Sequence, residues 1–144
     1  MILRYPGLWH KPIILASVEC MLTGQIFLVP MLLDTGCDQT CFPGKFAADF
    51  GHCNIHPNVK KDIVKGVGGD SACYIHSVRI SLIDPNKSSS ALHVVAWKSK
   101  IKKAHFVEKL DCDMGLLGMD IINQWRSLKL VRSAKGTPVI TIHI

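Results

Sequence analysis

No stretch of this chain has the roughly 20 apolar residues that a helix needs to cross a bilayer, so a membrane partner is not expected. Charge is also scarce. Asp, Glu, Lys and Arg make up 19% of 144 residues, against 48% hydrophobic. That balance excludes a charge-extended disordered chain and is enough for one packed domain. A secretory leader is not expected either, because Met1-Ile2-Leu3-Arg4-Tyr5-Pro6 is too short and too broken to be one. The expected setting is the cytoplasm or a viral particle, and the start also fits a processing site inside a longer polyprotein. No internal repeat or linker interrupts the chain.

What is present begins with sulfur and lysine. The six cysteines are Cys20, Cys37, Cys41, Cys53, Cys73 and Cys112, and without a leader they are expected as free thiols. His52, Cys53 and His56 lie close together with Cys41 upstream, but the spacing fits no common zinc pattern, so no metal is expected. The net charge is +6, and Lys98, Lys100, Lys102 and Lys103 form a basic run. No aromatic platform interleaves with that run, so it reads as a solvated face and not as a nucleic-acid site.

The hydrophobic pattern is that of strands. Ile13–Cys20 and Gln25–Val29 read as a hairpin around Leu22-Thr23-Gly24, with a bulge or an edge at Pro30. The second strand resumes as Met31-Leu32-Leu33 and delivers Asp34 to the turn Thr35-Gly36. An acid at the mouth of an apolar strand is costly to ionise, which makes it a candidate for chemistry. Lys45–Phe50 can form a helical turn. Asp62–Lys65 and Ala72–His76 flank a glycine-rich hairpin tip, Val64-Lys65-Gly66-Val67-Gly68-Gly69. Ser77–Ile83 and Ala91–Trp97 read as further strands, separated by the loop Asp84–Ser90. Met114-Gly115-Leu116-Leu117-Gly118-Met119-Asp120 is a second glycine-bounded apolar run. It leads into helical spacing through Ile121, Ile122 and Trp125. Leu128–Val131 and Pro138–Ile144 close the chain as β segments.

Three motifs in this order, apolar-Asp-Thr-Gly, then Gly-Val-Gly-Gly, then Gly-Leu-Leu-Gly-x-Asp, resemble the retropepsin-like (retroviral-type) aspartic proteases. The resemblance implies an all-β fold: a closed, barrel-like retropepsin domain with a flap hairpin and one short C-terminal helix. It implies a single domain over 1–144, with a core of about 13–130 and an extra β segment of about 131–144. It implies no cofactor. Lys98 to Asp113 is longer than the family's usual connection and is given no role.

The resemblance also assigns roles. Asp34 is the catalytic acid and base, Thr35 braces the two active-site loops across a dimer, and the Gly36 carbonyl meets substrate backbone. Asp38 and Gln39 line the pocket rim. Gly66, Val67 and Gly68 form the flap tip, with Val67 closing over the substrate. Leu116 walls a specificity pocket, and Leu32 either joins it or belongs to the core. Cys37 stands where Ala or Ser is usual, and Met119 where Arg often pairs with the acid resembling Asp38.

Hydrolysis by this route needs two carboxylates sharing one proton, one activating water and one protonating the carbonyl oxygen. The chain has one such motif. A homodimer acting on extended polypeptides is therefore expected, each copy giving one Asp34. A non-catalytic peptide-binding or dimerisation module is the alternative.

Overall fold

The structure is a computed structural model that describes residues 1–51, 57, 59–66 and 68–144. Val67 and the grouping of His52, Cys53 and His56 lie outside the described residues.

Six strands close a barrel: β2 (Ile13–Cys20), β3 (Ile26–Leu33), β4 (Cys41–Pro43), β6 (Gly69–Ile83), β8 (Lys102–Val107) and β9 (Gly115–Leu117). Their order is β2-β3-β9-β4-β8-β6, and β6 returns to pair with β2. The pairs β3–β9 and β4–β8 are parallel, and the others are antiparallel. The expectation of a closed all-β barrel holds, with two short α-helices among the described residues, α1 (Phe46–Asp49) and α2 (Met119–Ile122).

Strand alternation explains which residues fill the barrel. Val29, Met31 and Leu33 of β3 and Ala104 and Phe106 of β8 point inward at period two. Aromatics are only 7% of the chain, yet all five phenylalanines gather in one cluster. Phe42 stacks on Phe106 at 5.1 Å, and Phe50 meets both edge-on at 5.8 and 5.7 Å. Offset stacks and edge-to-face contacts are the favoured aromatic geometries and specify one packing.

The 15-residue β6 changes partners along its length. Its first half forms a hairpin with β5 (Lys60–Gly66), with Gly66 opposite Gly69. Its end pairs with β2 and with β7 (Val95–Lys98). The expected strand Ala91–Trp97 is thus shorter, because residues before Val95 are held in a loop instead. The Ser88 hydroxyl accepts from the Val94 N–H, and the Ser89 hydroxyl from the Leu92 N–H. Pro30 pairs opposite Leu15, one residue before the β9 pairing begins at Met31, so it occupies an edge position.

Residues 98–113, which had no assigned role, contain β8, the strand that joins β4 to β6 and closes the barrel. The helix after Gly118 is four residues, shorter than its apolar spacing suggests. Trp125 is nonetheless buried and lies edge-on to Trp97 at 6.0 Å.

Outside the barrel, β11 (Pro138–His143) lies between β1 (Ile2–Pro6) and β10 (Ser127–Arg132) in a second sheet. The segment Val139–Ile142 is therefore paired on both sides within its own chain. Leu3, Ile140 and Ile142 join the main core, and the Tyr5 hydroxyl donates to the Ile83 carbonyl at 2.7 Å.

Candidate active site

Asp34 sits where β3 ends, and its position is set by two neighbouring strands. In β3–β9, Leu32 lies beside Leu116 and Leu33 beside Leu117. The Asp34 N–H donates to the Leu117 carbonyl at 3.1 Å, and the Leu33 N–H to the Pro12 carbonyl at 3.0 Å. The acid thus emerges from a strand held on both edges. Its carboxylate is half-buried and accepts the Gly36 N–H at 3.0 Å through Oδ1. Thr35 and Gly36 are exposed beside it. A Cβ at Gly36 would lie 3.3 Å from that Oδ1.

The loop that follows is clamped onto α2. The Cys37 N–H donates to the Asp34 carbonyl at 3.2 Å. The Met119 N–H donates to the Cys37 carbonyl at 2.8 Å, and the Asp120 N–H to the Asp38 carbonyl at 3.0 Å. Fully buried Thr40 donates its hydroxyl to Asp120 Oδ1 at 2.7 Å and accepts the Gly118 N–H at 3.1 Å. Asp120 Oδ2 is buried with no hydrogen bond among the described residues. Gly118 packs so closely that a Cβ there would lie 2.6 Å from the Gln39 carbonyl carbon.

The structure therefore brings Leu32, Asp34, Thr35, Gly36, Asp38, Gln39 and Leu116 to one region. Asp38 and Gln39 are exposed, and Asp38 makes no ion pair among the described residues, in keeping with Met119 in place of a cation. Leu32 and Leu116 are both half-buried, so Leu32 is not wholly core. Gly66 and Gly68 lie at the exposed tip of the β5–β6 hairpin. The base of that hairpin is tied to the Asp34 loop by a small second core. There Cys41, Cys73 and Val107 pack with Cys37, Val64, Leu110 and Leu116.

Sequence reasoning missed Thr40, the brace role of Asp120 and the sulfur-rich second core. The Thr40–Asp120 bond joins residues 80 apart, and no local pattern announces such a pair. The one available signal was the acid immediately after Gly118-Met119, at the start of a helix.

No protein-family model matches the chain, and no curated protein sequence matches it. Solved structures do match, 152 chains in all. One is described as a retropepsin-like aspartic protease from Rickettsia conorii. It is 13% identical, with a TM-score of 0.56, over 99% of this chain and 91% of that one. The fold of this chain is therefore the retropepsin-like fold.

Proposed function

We propose that the chain is one half of an aspartic endopeptidase, and that two copies pair their Asp34 carboxylates around one water. The observation that carries this reading is a single half-buried Asp34, held by strand pairing on an open face and by one N–H on its carboxylate. A lone carboxylate lacks the acid partner that peptide hydrolysis requires, and a two-fold axis beside Asp34 supplies it. Like charges at contact distance do not both ionise, so the pair shares a proton. One Asp34 takes the proton of the water and the other gives its proton to the scissile carbonyl oxygen. Thr35, exposed beside the acid, braces the partner loop.

The substrate in this reading is an extended polypeptide. Asp38 and Gln39 meet its backbone at the rim, and Leu32 and Leu116 receive an apolar side chain. The β5–β6 hairpin acts as the flap, with Gly66 and Gly68 at its exposed end. Retropepsin-like folding, the three ordered motifs and the placement of Asp34 support this together.

The test is cleavage of a peptide library by the purified chain and by Asp34→Asn. The amide keeps the shape but cannot carry the shared proton, so turnover falls by about 10³-fold or more while the melting temperature holds. Excess Asp34→Asn chain mixed with wild type under subunit exchange lowers activity below the wild-type share. A folded Asp34→Asn protein that still turns over removes Asp34 from the chemistry, whereas a wild type that cuts no peptide but binds peptides as tightly as Asp34→Asn does favours the binding-module reading.

A further inference from the structure

We propose that Cys37 and Cys41 form a reversible oxidation site: a peroxide converts the two thiols to a disulfide, and that crosslink disables the Asp34 loop. The effect on activity rests on the protease reading above; the crosslink itself does not.

The two sulfurs lie 4.0 Å apart, at either end of the short turn that follows Asp34. Both thiols donate to the same acceptor, the Gln39 carbonyl, at 2.8 Å from Cys37 and 3.3 Å from Cys41. They differ in access. Cys37 is half-exposed at the rim, whereas Cys41 is buried in the second core. Burial and the neighbouring Cys37 push the Cys41 thiol well above its usual range, so Cys41 stays protonated. The order of reaction follows. The Cys37 thiolate attacks a peroxide oxygen, the O–O bond breaks, and the released alkoxide or hydroxide takes a proton. The Cys41 sulfur then attacks the Cys37 sulfenic sulfur, the S–O bond breaks, and the hydroxide leaves as water with the Cys41 proton. Two thiols are oxidised by two electrons, and one peroxide is reduced.

Closing the pair brings the sulfurs from 4.0 Å to about 2.05 Å. The movement falls on a loop with no slack. The Cys37 N–H holds the Asp34 carbonyl, and its own carbonyl holds Met119. Oxidation also removes both donors from the Gln39 carbonyl.

The experiment treats the full chain with hydrogen peroxide and follows it by intact mass, disulfide mapping and peptide cleavage. Wild type and Cys73→Ala should lose the mass of two hydrogens and yield a Cys37–Cys41 linked fragment. Cleavage should fall about tenfold or more, since ångström-scale misplacement of reacting groups is that costly, and should return with dithiothreitol. Cys37→Ser should form no crosslink. Cys41→Ala should instead accumulate irreversible oxygen adducts on Cys37. Mapping on wild type needs no variant, so a variant that fails to fold leaves the test intact. Absence of a crosslink, or a crosslink to Cys73 or any other cysteine, overturns the site. A crosslinked chain that cleaves at the reduced rate overturns the control of activity. A chain that crosslinks but cleaves nothing even when reduced supports the oxidation site and counts against the protease reading.

Discussion

Two glycine-bearing regions flank the candidate site, and they use glycine for opposite reasons. Around β9, Gly115 and Gly118 are there because nothing larger fits. A Cβ at Gly115 would meet the Met31 sulfur, and one at Gly118 would enter the Gln39 backbone. At the tip of the β5–β6 hairpin, a Cβ at Gly68 or Gly69 would meet nothing within 4 Å. There Gly69 has φ +95°, a conformation that other residues adopt only with strain. The first region is rigid because strands, helix and loop share hydrogen bonds; the second is held by its two-stranded ladder and, on one side, by Lys109 at Asp70 and Ser71. Chemistry needs the first kind of placement and substrate entry the second.

The comparison breaks most sharply at Gly118. Gly118→Ala drives a methyl into backbone that cannot swing aside, so it should cost about 3 kcal/mol and about 100-fold or more in turnover. Thermal melting together with peptide cleavage checks both. Next comes Thr40→Val, which keeps the shape but strands the Gly118 N–H and leaves both Asp120 oxygens without a hydrogen bond. A loss of about 1–3 kcal/mol is expected, with a smaller fall in turnover. Denaturant titration measures the first.

At the other region, Gly68→Val should leave stability within about 0.5 kcal/mol, because the side chain enters open space. It should still lower turnover about tenfold by stiffening the tip. If Gly68→Val melted the fold, or Gly118→Ala did not, the contrast between the regions would fail. The smallest effect serves as a control away from both. Burial first, and Asp84 second, push the Tyr5 phenol well above its ordinary value. The neutral form is the one the fold favours. Its contribution is therefore complete below about pH 10, the usual tyrosine value, and fades as pH rises above that. Tyr5→Phe should cost about 1 kcal/mol at neutral pH, flatten the alkaline loss and leave turnover alone. Melting curves across alkaline pH read this directly.

What the sequence shows of this molecule follows how local each signal is. Asp34-Thr35-Gly36 and the glycine hairpin announce themselves within a few residues, and the barrel strands with apolar runs on both sides are equally plain. Strand β8 hides because it opens on Lys102 and carries Lys103 and His105 on its outer face, leaving only Ala104 and Phe106 as inward signals. The Thr40–Asp120 brace and the second core are made by residues distant along the chain, each ordinary in its own neighbourhood. For the tail, the sequence does not choose between pairing across a dimer and pairing within one subunit. Its alternation fits both, and the deciding partner, β1, lies at the opposite end of the chain.

That last pairing has a cost in time. The Met1 amine donates to the Ile144 carbonyl, and the Ile144 N–H donates to the Met1 carbonyl, each at 3.0 Å. Setting Ile2 against His143 closes a loop that spans nearly all 144 residues. The entropy of such a closure grows as the logarithm of its length, on the order of 4 kcal/mol before any contact repays it. The terminal sheet should therefore form after the barrel, as the slow step of folding. Residues 1 and 144 are also close enough for a short peptide to join them. In such a ring, opened at the Asp84–Ser90 loop, the longest closure becomes the shortest and the same sheet can form early.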